Sequence, residues 1–246
     1  MTRLIFLAAV CTVFSFQDLP HRPGAGRMPQ GGFALVELFT SEGCSSCPAA
    51  DELLARYAGG TDREIYMLGY HVDYWNYLGW KDPFSRPEYS LRQQQYAASL
   101  GLGSIYTPQV IVNGRTAFVG LDERQLKTAL QEAYRQGSPT PISMEITMTS
   151  GQQARISYRT RLLAGQQIHF ALIQRHAVSD VRRGENSGRQ LHHLNVVRDF
   201  KSYLRPEGSL EFQVPDGISR GDCKIIAFIQ DSNTMAVTGA GDMALP

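Results

Sequence analysis

The chain has 246 residues, 43% of them hydrophobic and 19% charged, with a formal net charge of +1. That length supports one full hydrophobic core or two modest ones. A charge so close to zero points to neither a nucleic-acid partner nor a polyanionic substrate, and beyond the N-terminus no apolar run approaches the ~20 residues of a membrane-spanning helix.

The N-terminal stretch "MTRLIFLAAVCTVFSFQ" has one basic residue, Arg3, followed by an apolar run from Leu4 to Phe16. This is the layout of a secretory signal peptide over residues 1–17, although no Ala-x-Ala pattern marks the cut. It predicts a periplasmic or secreted protein with no membrane contact beyond the signal segment. Residues 18–32, with three prolines and four glycines, read as a flexible lead-in. Cys11 falls in the leader, leaving Cys44, Cys47 and Cys223 for the mature chain. In an oxidising compartment a close thiol pair tends to become a disulfide.

"FALVELFT" (33–40) is an apolar run interrupted by Glu37 and reads as a buried parallel strand. Residues 45–58 place Ala49, Ala50, Leu53, Leu54 and Tyr57 on one helical face, with Gly59-Gly60 as the stop. "EIYMLGYHV" (64–72) is a second apolar strand, so the three segments predict a βαβ unit. An aromatic, turn-rich stretch follows. A capping box at Ser85, with Glu88 as its partner and a proline between, predicts a helix from Arg86 to about Leu100. "YTPQVIVNGRTAFVG" (106–120) has the form of a hairpin, and Asp122 with Gln125 caps a helix ending at Gly137.

After "SPTP" (138–141) the texture changes to short alternating runs: "ISMEITMT", "ARISYRT", "QIHFALIQ", "SLEFQV", "CKIIAFIQ" and "MAVTGA". Six such runs predict an antiparallel sandwich over 142–246. The polar stretch 175–205 reads as a long loop. Its cluster of Glu185, Asn186, Arg189, His192, His193, Asn195 and Arg198 suggests ion pairing and docking on the first domain. Cys223, at the head of an apolar strand, reads as a small buried hydrophobe.

"VELFTSEGCSSCP" resembles the active-site segment of thioredoxins, and "YTPQVIVNGRTAFVGLDE" resembles the corresponding glutaredoxin hairpin. With "YHVDYW", "LGWKDPFS" and "RGENSGRQLHHLNVVRDF", the chain from about 33 to 240 is similar to an exported bacterial family known as domain of unknown function 1223. The resemblance implies an α/β thioredoxin-like domain at 33–137, followed by an all-β antiparallel sandwich domain at 142–246. It also implies a cis bond before Pro108, backbone pairing of Thr107 with an extended substrate, and a buried proton-accepting carboxylate at Glu37. Two positions depart from the pattern. Gly43 stands where thioredoxins carry tryptophan, and Gly120-Leu121 replaces the Gly-Gly with which glutaredoxins hold glutathione.

The chemistry follows from the position of the pair. Unpaired N–H groups at a helix start favour thiolate over thiol, so Cys44 would attack and Cys47 would resolve. His71 and Asp73, at the end of a strand, join Trp75, Trp80, Arg189 and His192 as candidate walls of a substrate groove. Zinc fits poorly, since no second CxxC or spaced histidine pair supplies four ligands. No cofactor is expected, because the dithiol is itself the redox group. The reading is a bacterial periplasmic thiol–disulfide oxidoreductase acting on protein or small-molecule thiols and disulfides. Its rival is a non-catalytic module with a structural disulfide that binds an envelope protein.

Overall fold

A computed structural model describes residues 31–58, 64–137, 139–149 and 151–246. The leader at 1–17, Cys11, nearly all of the lead-in at 18–32 and the Gly59-Gly60 helix stop lie outside them. β1 (Ala34–Thr40), α1 (Cys47–Ala58) and β2 (Ile65–His71) form a strand–helix–strand unit with parallel strands, Ala34 facing Ile65 and Thr40 facing His71. Every residue of β1 is buried, as its near-continuous apolar run requires. α2 (Pro87–Leu100) follows, then β3 (Gln109–Val112) antiparallel to β1, β4 (Thr116–Val119) and α3 (Glu123–Arg135). Asp122 caps α3, its carboxylate accepting the Gln125 backbone N–H at 2.9 Å.

α2 begins differently from its predicted capping box. The N-cap is Arg86, with no side-chain cap, and the Ser85 hydroxyl donates instead to the Asp82 carbonyl at 2.8 Å. Ser85 thereby helps to fold the turn that carries Asp82, a residue of the site described below.

β5 (Ile142–Met148), β6 (Gln153–Thr160) and β9 (Glu207–Gln213) form a three-stranded antiparallel sheet. The remaining strands, β7 (Gln166–Asp180), β8 (Gln190–Tyr203), β10 (Cys223–Asp231) and β11 (Val237–Ala244), do not close a separate sandwich with it. They extend the first sheet, giving one mixed eight-stranded sheet of order β11-β10-β7-β8-β2-β1-β3-β4. An α/β thioredoxin-like domain followed by an all-β antiparallel sandwich domain is therefore the wrong architecture. The stretch read as a polar loop is the cause. It holds the end of β7, the whole of β8 and only a short tip between them. Strand pairing is a backbone property, so polar side chains at exposed positions of β7 and β8 do not prevent it.

The seam lies between β2 and β8, which run parallel with Gly69 opposite Val196. A Cβ at Gly69 would sit 3.3 Å from the Leu194 carbonyl oxygen, so the missing side chain lets the two strands approach. One face of the long sheet is covered by α2, with Tyr89 and Tyr96 against Phe39 and Tyr70 of the first half and Phe228 of the second. On the opposite face, α1 and α3 cover the first half and the three-stranded sheet covers the second. Buried Cys223 lies in this second core, with a free thiol whose pKa burial pushes up to about 11.

Candidate functional site

The turn from β1 into α1 carries Cys44 and Cys47, which are joined as a disulfide. α1 begins at Cys47, with Pro48 next, where its missing N–H leaves no helical bond unmade. Cys44 thus lies just ahead of the helix, facing the positive end of its dipole. Its sulfur is 3.4 Å from the Ser46 hydroxyl. Both cysteines are buried, each at 1% exposure.

Three segments surround the pair. Trp75 packs on the turn so closely that a Cβ on Gly43 would lie 2.9 Å from the Trp75 Cβ. Its indole N–H donates to the Thr107 hydroxyl at 2.8 Å, and the Thr107–Pro108 bond is cis. Pro108 approaches the first turn of α1, with Gly120 between them. A Cβ at Gly120 would meet the Pro108 Cβ at 3.0 Å and the Ala50 Cβ at 3.2 Å.

The third segment is the tip between β7 and β8. Asn186, fully buried, donates from one amide nitrogen to the carbonyls of Glu42 and Cys44, each at 2.9 Å. Glu185 accepts the Ser45 backbone N–H at 2.9 Å, and the Ser45 hydroxyl together with that N–H holds its carboxyl below the usual range. Arg189 donates to the Asn186 amide oxygen at 2.8 Å, so it orders the tip from outside. This tip covers the disulfide.

Beside the cysteine turn is a buried polar cluster. His71 donates from Nδ1 to Asp82 at 2.7 Å, and the same Asp82 oxygen accepts the Glu42 backbone N–H at 2.9 Å. Burial opposes the charge of Asp82, yet His71 and these donors outweigh it and hold its pKa below the usual range. The Trp80 indole N–H donates to Glu42 Oε2 at 2.6 Å. His193 reaches Asp51 with Nδ1 at 3.3 Å and lies 3.3 Å from Glu42 Oε1 through Nε2. The His71 and His193 rings meet edge-on at 4.7 Å, with Phe84 against both. Among the described residues, no three His, Cys, Asp or Glu side chains are placed to hold a metal ion.

Of the residues singled out in the sequence, Cys44, Cys47, Thr107, Pro108 and Trp75 come together here. His71 and Trp80 join them through Asp82 and Glu42, and Arg189 through Asn186. Three residues are placed elsewhere. Asp73 turns to Ser90 on α2, accepting its hydroxyl hydrogen bond. His192 is exposed on β8, where strand alternation sends it away from buried His193. Glu37 points to the α2 face of the sheet, where Arg92 holds its carboxylate at 2.7 Å and the Tyr96 hydroxyl donates to it. Glu42, Asp51 and Asp82 had no signal in the sequence beyond their nearness to the motifs. Asn186 and His193 stood in the dense polar cluster, unseparated from their exposed neighbours.

Residues 35–230 match the family described as protein of unknown function (DUF1223). The chain belongs to DUF1223. The match runs through both halves and takes in the cysteine turn, the Thr107–Pro108 segment and the Asn186 tip. The crystal structure of protein AGR_C_4864 from Agrobacterium tumefaciens is similar to this DUF1223 chain, with a TM-score of 0.67 and 29% identity. That likeness covers 87% of this chain and 96% of the other. A domain of the outer membrane lipoprotein Omp28 from Porphyromonas gingivalis matches 44% of this chain, and 88% of its own, at 18% identity with a TM-score of 0.27. No curated protein matches the chain.

Proposed function

We propose that this DUF1223 protein exchanges thiols and disulfides through Cys44 and Cys47, acting on protein or small-molecule partners outside the bacterial cytoplasm. The observation that carries this reading is the placing of the pair at the start of α1, between the Trp75–Thr107 contact and the tip that joins β7 to β8. An incoming thiolate would attack one sulfur of the disulfide, and the other would leave as a thiolate beside the unpaired N–H groups of the helix start. Cys44, ahead of the helix and beside the Ser46 hydroxyl, is the partner-binding sulfur, and Cys47 resolves. Thr107 and Pro108 line the approach. Glu37 has no place in this scheme, because its charge is committed to Arg92. The signal-like residues 1–17 support an exported location.

A second reading is favoured by one specific observation, the burial of both cysteines. On that reading the disulfide is a staple that ties the turn to α1, and the protein binds a partner without chemistry. One measurement separates the two: equilibration of the full chain with glutathione buffers, followed by acid trapping and mass spectrometry of the thiols. A midpoint of roughly −120 to −270 mV supports exchange. A midpoint below about −300 mV, or a pair that never reacts in the native state, makes it a staple.

A further inference from the structure

Glu42 stands two residues before Cys44 and Asp51 four residues after Cys47, and both carboxylates reach one imidazole. That imidazole, His193, comes from β8, in the other half of the chain. Its side chain is only 3% exposed, with Glu42 and Asp51 at 0% and 8%. The charged and titratable groups facing it are Glu42 from the β1–α1 turn, Asp51 from α1 and His71 from β2, with Asp82 behind His71. A neutral imidazole has one N–H and can donate to one carboxylate, whereas the imidazolium can serve both.

We propose that His193 is a positioning residue of the exchange reaction, an inference that rests on the reading above. Its imidazolium ties the two ends of the cysteine turn to β8 and supplies the positive charge that favours the thiolate released when the disulfide opens. In the reducing direction, a partner thiolate forms a bond to one cysteine sulfur. The Cys44–Cys47 bond breaks, and its electron pair stays on the other cysteine as a thiolate. A second thiolate of the partner then attacks the mixed disulfide and leaves as the partner's own disulfide, the partner dithiol having given two electrons. The protons that the new thiolates take up come from solvent, and His193 keeps its own. Burial works against the His193 charge, but its contacts with Asp51 and Glu42 outweigh burial and push its pKa up to about 9.

The test is the glutathione equilibrium of the full chain from pH 6 to 10, for wild type, H193Q and D51N, with circular dichroism and thermal melting as controls of fold. His193→Gln keeps a hydrogen-bonding side chain and removes the charge. Its equilibrium toward the reduced form should fall about tenfold at pH 7, a shift of about one pKa unit in thiolate preference. The gap to wild type should close above about pH 10, where His193 is neutral in both senses that matter, uncharged and no longer bridging. Asp51→Asn lowers the ionisation of His193, so the bend in the wild-type profile should move to lower pH. A folded H193Q whose profile overlays wild type at every pH overturns the proposal. Should H193Q not fold, an unmoved bend in D51N overturns it equally. A wild-type pair that never equilibrates with glutathione overturns the exchange reading itself, and this inference with it.

Discussion

Burying the Glu37 carboxylate is tolerable because Arg92 meets it with two nitrogens, Nε at 2.8 Å and Nη2 at 2.7 Å. The guanidinium also donates to the Gln230 side-chain amide oxygen at 3.1 Å and lies over the rings of Tyr96, Phe200 and Phe228. Burial opposes the Arg92 charge, and the Glu37 carboxylate outweighs it, so Arg92 stays protonated. Removing one partner strands the other, so Arg92→Leu should cost about 3–5 kcal/mol in urea denaturation. Glu37→Gln should lower stability while leaving the rate of disulfide reduction in the folded protein within about twofold, a change well under the 10²–10⁴-fold of a lost general base. A large rate loss with stability unchanged would return Glu37 to the role of proton acceptor. His193 gives a different signature. Its folded pKa of about 9 lies above the ordinary histidine value of 6.5, so the native state holds an extra proton between the two. The stability this brings is fully present below about pH 6.5 and is lost as pH rises through about 9, on the order of 3 kcal/mol in all. Thermal melts of wild type should fall over that window, and those of His193→Gln should stay nearly flat.

The tip between β7 and β8 is the element on which access to the disulfide turns. Asn186 makes two hydrogen bonds into the cysteine turn, and its own position depends on Arg189. Asn186→Ala leaves the carbonyls of Glu42 and Cys44 without those donors, a loss of about 1–3 kcal/mol if they stay dry. Opening the tip becomes easier by the same free energy, so reduction by dithiothreitol should speed up about 5-fold or more, measured by thiol trapping. An unchanged rate would mean that reduction does not pass through an opened tip. Much of this neighbourhood was legible in the sequence. The CxxC at a strand–helix junction, the Thr107–Pro108 hairpin and the docking of the polar cluster on the first half could each be read from local patterns. β8 could not. Its buried positions include His193 and its exposed ones His192 and Gln190, so its alternation is partly polar-in, and Asn195 breaks it with a positive φ of 53°. Apolar periodicity sees strands that bury apolar side chains, and this strand buries a charge. For the same reason Glu42 and Asp51 carried no signal until their common partner was in view.

At the scale of the whole molecule, that strand decides whether the chain is two folding units or one. β8 pairs with β2 on one side and β7 on the other, and α2 buries Tyr89 and Tyr96 against strands from both halves. The Arg92 network adds a polar join, because Gln230 on β10 donates to the Tyr96 hydroxyl at 2.7 Å while accepting from Arg92. A fragment of residues 33–137 would keep β1, β2, α1 and α3. It would lose the strand beside β2, the second half's apolar side chains under α2 and the partner shared by Glu42 and Asp51. Glu42 and Asp51 would then lack the imidazole that joins them beside the cysteine turn. The fragment should therefore fail to unfold cooperatively. The full chain should unfold in a single transition, since the core under α2 is built from both halves. Trp75 and Trp80, the two tryptophans, both lie in the first half, so tryptophan emission reports that half while far-ultraviolet circular dichroism weighs the strands of both. The two probes should give coincident urea midpoints. Separated midpoints, or a fragment 33–137 with a sigmoidal melt of its own, would show that the β2–β8 seam joins two domains that are stable apart. In that case the loss of His193 would be felt at the cysteine pair but not in the stability of the second half.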